Sequence, residues 1–226
     1  MNEKDKNEII DRYETRLNKL GAVPQALGWL KGRQVFRFAF LQGIEGLLPE
    51  DSIIDVGCAF GDLAPFLTSC GWHGRYLGVD IVPGLIDAGK EKYPELDLRV
   101  LDLQAEGLDD QFDWVFCSGA LTSETHDVNS YDHLREMLTI FFNICRKGVA
   151  VNLLSPLVDY QSEVNFHPVF ARTMEIVSGL SRRFVLRHDY MPYEYTLYIY
   201  KDDAIIKGSA VFEAHKDLYE TLRNDR

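Results

Sequence analysis

Between residues 52 and 155 the chain alternates two kinds of segment, and no other feature limits its possible folds so much. "SIIDVG" (52–57), "RYLGVDI" (75–81), "LDLRVLD" (96–102), "FDWVFCSG" (112–119) and "GVAVNLLS" (148–155) are short, mostly apolar runs. Helical patterns separate most of them. "DLAPFLTSCG" ends at Gly71, "GLIDAGKEKYP" is stopped by Pro94, and a long helix is expected from about 131 to 146. Strands that are apolar on both sides and alternate with helices predict a parallel sheet covered on both faces.

The flanks read differently. Ile9, Ile10, Tyr13, Leu17 and Leu20 recur near a helical period, so a first helix is expected over about 4–20. A second is expected from Arg33 to Leu47, stopped by Pro49. After a helix near 168–180 come "RRFVLRHDY" and "YEYTLYIYK", separated by a few residues that include Pro192. So short a link cannot carry a parallel crossover, which predicts an antiparallel hairpin. The tail from Asp202 is polar, with one short helix expected over about 211–222. The architecture expected is a Rossmann-like α/β sheet of seven strands, mostly parallel, with an antiparallel C-terminal hairpin. It forms one domain: a helical cap (1–48), the core sheet (49–201) and a C-terminal extension (202–226).

Composition narrows the function classes. The chain has 226 residues, 46% hydrophobic and 26% charged, with a formal net charge of -11. No long basic stripe is present, so nucleic-acid phosphates are poor partners. Cys58, Cys70, Cys117 and Cys145 form no CxxC pair and no zinc spacing; each reads as a small buried hydrophobe. The charged N-terminus has no signal core, and no run approaches the roughly 20 apolar residues that span a bilayer. A cytoplasmic protein with no membrane partner, no metal and reduced thiols is expected.

The loop after the first strand, "DVGCAFGD" (55–62), lies where open parallel sheets bind ligands. A phosphate-gripping loop would need Lys and Ser/Thr after the last glycine, and Asp62 and Leu63 stand there. A dinucleotide loop would need glycine where Ala59 and Asp62 stand. Asp80, ending the second strand, is placed for ribose hydroxyls with either kind of cofactor.

"DVGCAFG" resembles the Asp/Glu-x-Gly-x-Gly-x-Gly loop of class I S-adenosylmethionine-dependent methyltransferases, with Ala59 in place of the middle glycine. "RFAFL", "VDIVPGLIDAGKEKYP", "FDWVFCSGALT" and the stretch from "NLLSPLVDY" to "YEYTLYIYK" extend the likeness to a bacterial branch of that family. The resemblance implies that Asp55 lies near the methionine ammonium, and that Gly57, Cys58, Ala59 and Gly61 form its bed. It further implies that Asp80 takes the ribose, that Asp102 and Leu103 meet the adenine with Ile81 on its other side, and that Ser118 and Gly119 border the methyl. Arg37 or Arg33 on the covering helix would meet the methionine carboxylate.

Transfer to an oxygen or nitrogen of a small molecule, leaving S-adenosylhomocysteine, is the activity implied. His126 is the candidate base, since a near-neutral imidazole can take a hydroxyl proton. Trp29, Thr122, Asn152, Tyr160 and His167 are candidate substrate contacts. The alternative is a non-catalytic relative, supported by Ala59 alone; the oligomeric state stays open.

Overall fold

The computed structural model describes residues 1–29, 32–125 and 129–224. The strands are β1 (Ile53–Val56), β2 (Tyr76–Asp80), β3 (Leu98–Val100), β4 (Phe112–Ser118), β5 (Cys145–Leu154), β6 (Phe184–Arg187) and β7 (Glu194–Tyr200). They form one sheet in the order β3-β2-β1-β4-β5-β7-β6. The pairs from β3 through β5 are parallel, and β7 runs antiparallel to both β5 and β6. The chain runs outward from β1 to β3 and returns to β4. The reversal point therefore lies between β1 and β4, and opens a crevice at their carboxyl ends.

The helices α1 (Glu3–Leu20), α2 (Arg33–Gln42), α3 (Leu63–Ser69), α4 (Pro83–Lys92), α5 (Leu103–Glu106), α6 (Ser130–Ile144), α7 (Phe170–Ser178) and α8 (Lys216–Asn224) complete the frame. Strand side chains alternate between the two faces. Ile54, Val79, Val115, Val151 and Leu197 pack with Leu134, Leu138 and Phe141 of α6 and with Ile176 of α7. Ile53, Trp114, Phe116 and Tyr198 pack on the opposite side with Phe38 and Leu41 of α2, Leu63 of α3 and Ile86 of α4. A third cluster joins Ile10, Tyr13 and Leu17 of α1 to Val82, Leu85 and the loop residues Ala59 and Phe60. That contact lays α1 over the crevice. No helix among the described residues is long and apolar enough to cross a membrane.

Local expectations fail in four places. The second helix ends at Gln42 rather than Leu47. The Tyr198 hydroxyl bonds to the Phe40 carbonyl, which a continuing helix would have offered to Ile44. The sixth helix ends at Ile144, and Cys145 and Arg146 open β5, because Cys145 pairs with Phe112 of β4. Of the four cysteines, Cys70 is exposed, so the buried reading holds only for the other three. In the tail, α8 lies over Lys216–Asn224, later than expected.

Candidate functional site

The crevice is a cavity bounded by β1, β2 and β4 below and α1 above. Its floor and walls include Asp55 to Ala59, Val79 to Val82, Leu101 to Gln104, and Ser118 to Leu121. Its cover includes Ile9 and Tyr13 of α1, with Leu27 and Trp29 from the segment that follows. Three bonds hold α1 down. Lys6 Nζ pairs with Asp102 Oδ2 at 2.9 Å, Arg12 Nη2 donates to Ser123 Oγ at 2.8 Å, and Gly84 N donates to Glu14 Oε1 at 3.2 Å.

The loop after β1 needs left-handed backbone at three positions: Gly57 (φ 75), Ala59 (φ 50) and Gly61 (φ 80). Glycine is forced at position 57, where a Cβ would stand 2.3 Å from the Ala120 Cβ. The glycine at position 61 serves the fold: a Cβ there would meet Leu98 at 3.0 Å, and Gly61 does not line the cavity. Ala59 accepts an angle that costs an L-residue roughly 1–2 kcal/mol. Its N–H donates to Asp80 Oδ2 at 2.9 Å, and that bond helps hold the turn.

Each strand-end acid has its own surroundings. Asp80 also accepts from Val82 N at 3.0 Å. Burial raises its pKa, and the backbone N–H groups around it pull it down without cancelling the rise. Asp102 caps α5, its Oδ1 accepting from Gln104 N and Ala105 N. Burial there acts upward, yet Lys6 and those N–H groups outweigh it and hold the Asp102 carboxyl below its usual range. Asp55 is the buried extreme. Tyr76 donates to its Oδ2 at 2.8 Å, while Oδ1 has no hydrogen-bond partner among the described residues. Burial pushes its pKa up to about 7, against the Tyr76 bond and with help from Asp80.

The positive counterpart lies on α2. Arg37 is 1% exposed. Its fork pairs with Glu194 at the start of β7, and its guanidinium lies 3.5 Å from the centre of the Trp29 ring. Nη1 has no hydrogen-bond partner among the described residues. A carboxylate oxygen and a guanidinium nitrogen, both buried and unpaired, are costly unless a ligand completes them. Arg37 does not itself line the cavity; Gly119 does, and a Cβ on Gly119 would stand 3.3 Å from Nη1.

The remaining candidates spread out. Asp55, Gly57, Cys58, Ala59, Asp80, Ile81, Asp102, Leu103, Ser118, Gly119 and Trp29 line the cavity together. Thr122, Asn152, Tyr160 and His167 do not. Thr122 Oγ1 donates to the Gly119 carbonyl at 2.7 Å. Asn152 is 1% exposed and bonds to Ser118, Thr196 and Tyr190, tying β4, β5 and β7 together. His167 Nδ1 is 2.8 Å from the Ser155 carbonyl, and Tyr160 is 79% exposed. His126 lies outside the described residues. The Cys58 thiol is pushed up by burial, and that of Cys117 to about 12, so neither is a ready nucleophile. Among the described residues, no group of three or more His, Cys, Asp or Glu side chains could hold a metal ion.

Some residues in or behind the cavity wall carried no signal in the sequence. Tyr76, which holds Asp55, sits inside an apolar strand run. Gln34 and His133 line the cavity from helix positions that look like ordinary polar faces. Glu194 occupies a polar slot of an alternating strand; only its pairing with Arg37 distinguishes it.

Residues 53–141, from β1 into α6, match the methyltransferase-domain family. A protein of Invertebrate iridescent virus 6, provisionally named a methyltransferase, is 30% identical over 87 residues, 38% of this chain and 33% of that protein. The match thus spans about a third of the viral relative's length. A Mycobacterium tuberculosis protein with a similar provisional name is 26% identical over 156 residues, 66% of this chain and 93% of its own. In three dimensions the chain is similar to magnesium protoporphyrin IX methyltransferase from Synechocystis PCC 6803 with bound S-adenosylmethionine. The TM-score is 0.62 at 16% identity, covering 87% of this chain and 96% of that one.

The segment from β1 into α6 is thus similar in sequence to methyltransferase domains, and the chain shares their fold.

S-adenosylmethionine fits what this structure leaves unfinished. Its amino acid end carries one ammonium and one carboxylate. Among the described residues, Asp55 leaves a carboxylate oxygen without a hydrogen bond in the cavity, and Arg37 leaves a guanidinium nitrogen without one beside Gly119 of its wall. A dinucleotide would instead bring two phosphates to three acids. Asp80 keeps free lone pairs for ribose hydroxyls, since each oxygen accepts one N–H in the hydrogen bonds described above. Leu101, Leu103 and Ile81 supply apolar surface suited to a flat ring.

Proposed function

We propose that this protein transfers the methyl group of S-adenosylmethionine to an oxygen or nitrogen nucleophile of a small molecule. The observation that carries the reading is a pair of buried polar atoms without hydrogen-bond partners among the described residues: Asp55 Oδ1, on a residue that lines the cavity, and Arg37 Nη1, beside the lining residue Gly119.

The cofactor supplies a methyl already activated by the sulfonium, so the protein's work is mainly binding, alignment and exclusion of water. Asp55 takes the ammonium and Arg37 the carboxylate. Gly57 to Ala59 form the bed, Asp80 holds the ribose, and Asp102 and Leu103 border the adenine. Closure of α1 keeps the chamber dry, with Ile9 and Tyr13 facing inward. Ser118 and Gly119 form the rim toward the acceptor, and Trp29 walls that side. Thr122, Asn152, Tyr160 and His167 lie outside the cavity and belong, in this reading, to the framework and rim of the acceptor side. A base is not required by the reaction; His126, which follows β4 in the sequence, is the residue to test for one.

A small-molecule acceptor is supported by two enzymes of similar fold, magnesium protoporphyrin IX methyltransferase and human N-acetylserotonin methyltransferase, each named for a small acceptor. A net charge of -11 disfavours a nucleic-acid acceptor. Ala59, the only support for a non-catalytic relative, keeps the left-handed turn and the bond to Asp80.

Calorimetric titration with S-adenosylmethionine and S-adenosylhomocysteine tests the proposal. Micromolar binding of both is expected. No heat of binding from either at high micromolar concentration would sink it.

A further inference from the structure

Arg37 and Glu194 lie 157 positions apart in the chain and form a two-pronged ion pair beside the cavity. Nε donates to Oε2, and Nη2 pairs with Oε1. Both residues are buried, with relative exposures of 1% and 6%. A guanidinium presents its donors in a rigid planar fork. Once Glu194 takes one edge, the orientation of the remaining nitrogen is set. That nitrogen, Nη1, has no hydrogen-bond partner among the described residues and stands 3.3 Å from the place a Cβ of Gly119 would occupy. Trp29 stacks on the guanidinium at 3.5 Å and restrains its tilt.

Without its partner, Arg37 would be a lone buried cation, free to turn toward any acceptor within reach. Glu194 removes that freedom and offsets the charge. We propose that Glu194 is a positioning residue: it locks the Arg37 fork so that Nη1 meets the carboxylate of the cofactor's amino acid end. The C-terminal hairpin would then take part in cofactor selection, although it is remote in sequence from the glycine loop. This inference rests on the proposed function.

The test compares two ligands that share the adenosine and the thioether. S-Adenosylhomocysteine has the amino acid end; 5′-methylthioadenosine lacks it. Dissociation constants are measured by calorimetry for the wild type, Glu194→Gln, Glu194→Ala and Arg37→Lys, with circular dichroism and Tm confirming the fold. For S-adenosylhomocysteine, Glu194→Ala and Arg37→Lys are expected to weaken binding at least about tenfold, as loss of a charge-assisted hydrogen bond implies. Glu194→Gln, which keeps one acceptor on the fork, should fall between. For 5′-methylthioadenosine all four proteins should agree within about twofold.

Equal losses for both ligands would make Glu194 merely structural and overturn the inference. So would unchanged S-adenosylhomocysteine binding in a folded Glu194→Ala protein. Should that variant not fold, the near-isosteric Glu194→Gln and the Arg37→Lys change decide by the same ratio. Wild-type protein that binds neither ligand defeats the proposed function itself. Wild-type protein that binds both equally well defeats only the inference.

Discussion

The carboxylate of Asp80 accepts a hydrogen bond from the backbone N–H of Ala59, 21 residues earlier, at 2.9 Å. The acid that ends β2 thus stitches the loop that leaves β1, and both residues line the same cavity. One side chain shapes the cradle and also faces what the cradle holds. Asp80→Asn keeps the shape but can set an amide NH2 against an N–H. A stability loss of about 1–3 kcal/mol is expected in urea unfolding, from one poorly satisfied buried group. Calorimetry should also show S-adenosylhomocysteine affinity at least about tenfold lower. Unchanged affinity would count against a ribose role.

Asp55 should make both stability and binding depend on pH. Its folded pKa is about 7, against about 3.9 for an unfolded Asp. The folded state therefore holds the proton more tightly across that window. Stability from this group is complete below about pH 4, is lost as pH rises toward 7, and levels off above it. Asp55→Asn should flatten that part of the curve. A ligand ammonium favours the carboxylate, so binding should release close to one proton at about pH 6 and almost none above about pH 8. Titration in two buffers of different ionisation enthalpy measures this. Proton release that persists in Asp55→Asn would place it elsewhere.

Gly57 and Ala59 should respond oppositely to a one-carbon change. Gly57→Ala adds a Cβ 2.3 Å from that of Ala120 at φ 75, so a loss of several kcal/mol, or no folded protein, is expected. Ala59→Gly removes left-handed strain at φ 50 and adds unfolded-state freedom. The net should be a gain of about 0.5–1 kcal/mol in urea unfolding. A destabilised Ala59→Gly protein would mean that packing of the Ala59 methyl with Leu85 and its neighbours outweighs the backbone strain.

The cover should loosen when its tether is cut. Lys6 and Asp102 are only partly buried, so their pair contributes no more than about 1 kcal/mol. Lys6→Ala should speed S-adenosylhomocysteine dissociation by roughly two- to fivefold with little change in Tm. Added salt should shrink the difference between variant and wild type. Stopped-flow displacement reads this directly, and an unchanged off-rate would show that α1 is held by its apolar contacts alone.

Much of this was legible because it depends on short-range pattern. β1, β2, β4 and most of β5 are near-continuous apolar runs, which only a doubly covered sheet can bury; β3 is a short edge strand with two exposed residues. The three acids each stand at or just past a strand end, so their convergence follows once the strands are parallel and in register. Helix ends were less legible. The end of α2 depends on Tyr198, and that of α6 on pairing between Cys145 and Phe112, both distant in sequence. Asn152 and His167 have polar chemistry suited to a substrate contact, yet their hydrogen bonds go to the protein itself.

The sequence by itself determined the alternating layers, the crevice at the reversal of strand order and the glycine turn that fits no phosphate. Periodicity and backbone sterics are local properties, written residue by residue. Only the tertiary structure decided which polar atoms remain unsatisfied. Asp55 Oδ1 and Arg37 Nη1 stand out because Tyr76 and Glu194 occupy the other positions on those groups, and those partners come from elsewhere in the chain. Burial and pairing are properties of the assembled sheet. They turn two ordinary charged residues into a matched pair, one lining the cavity and one beside its wall at Gly119.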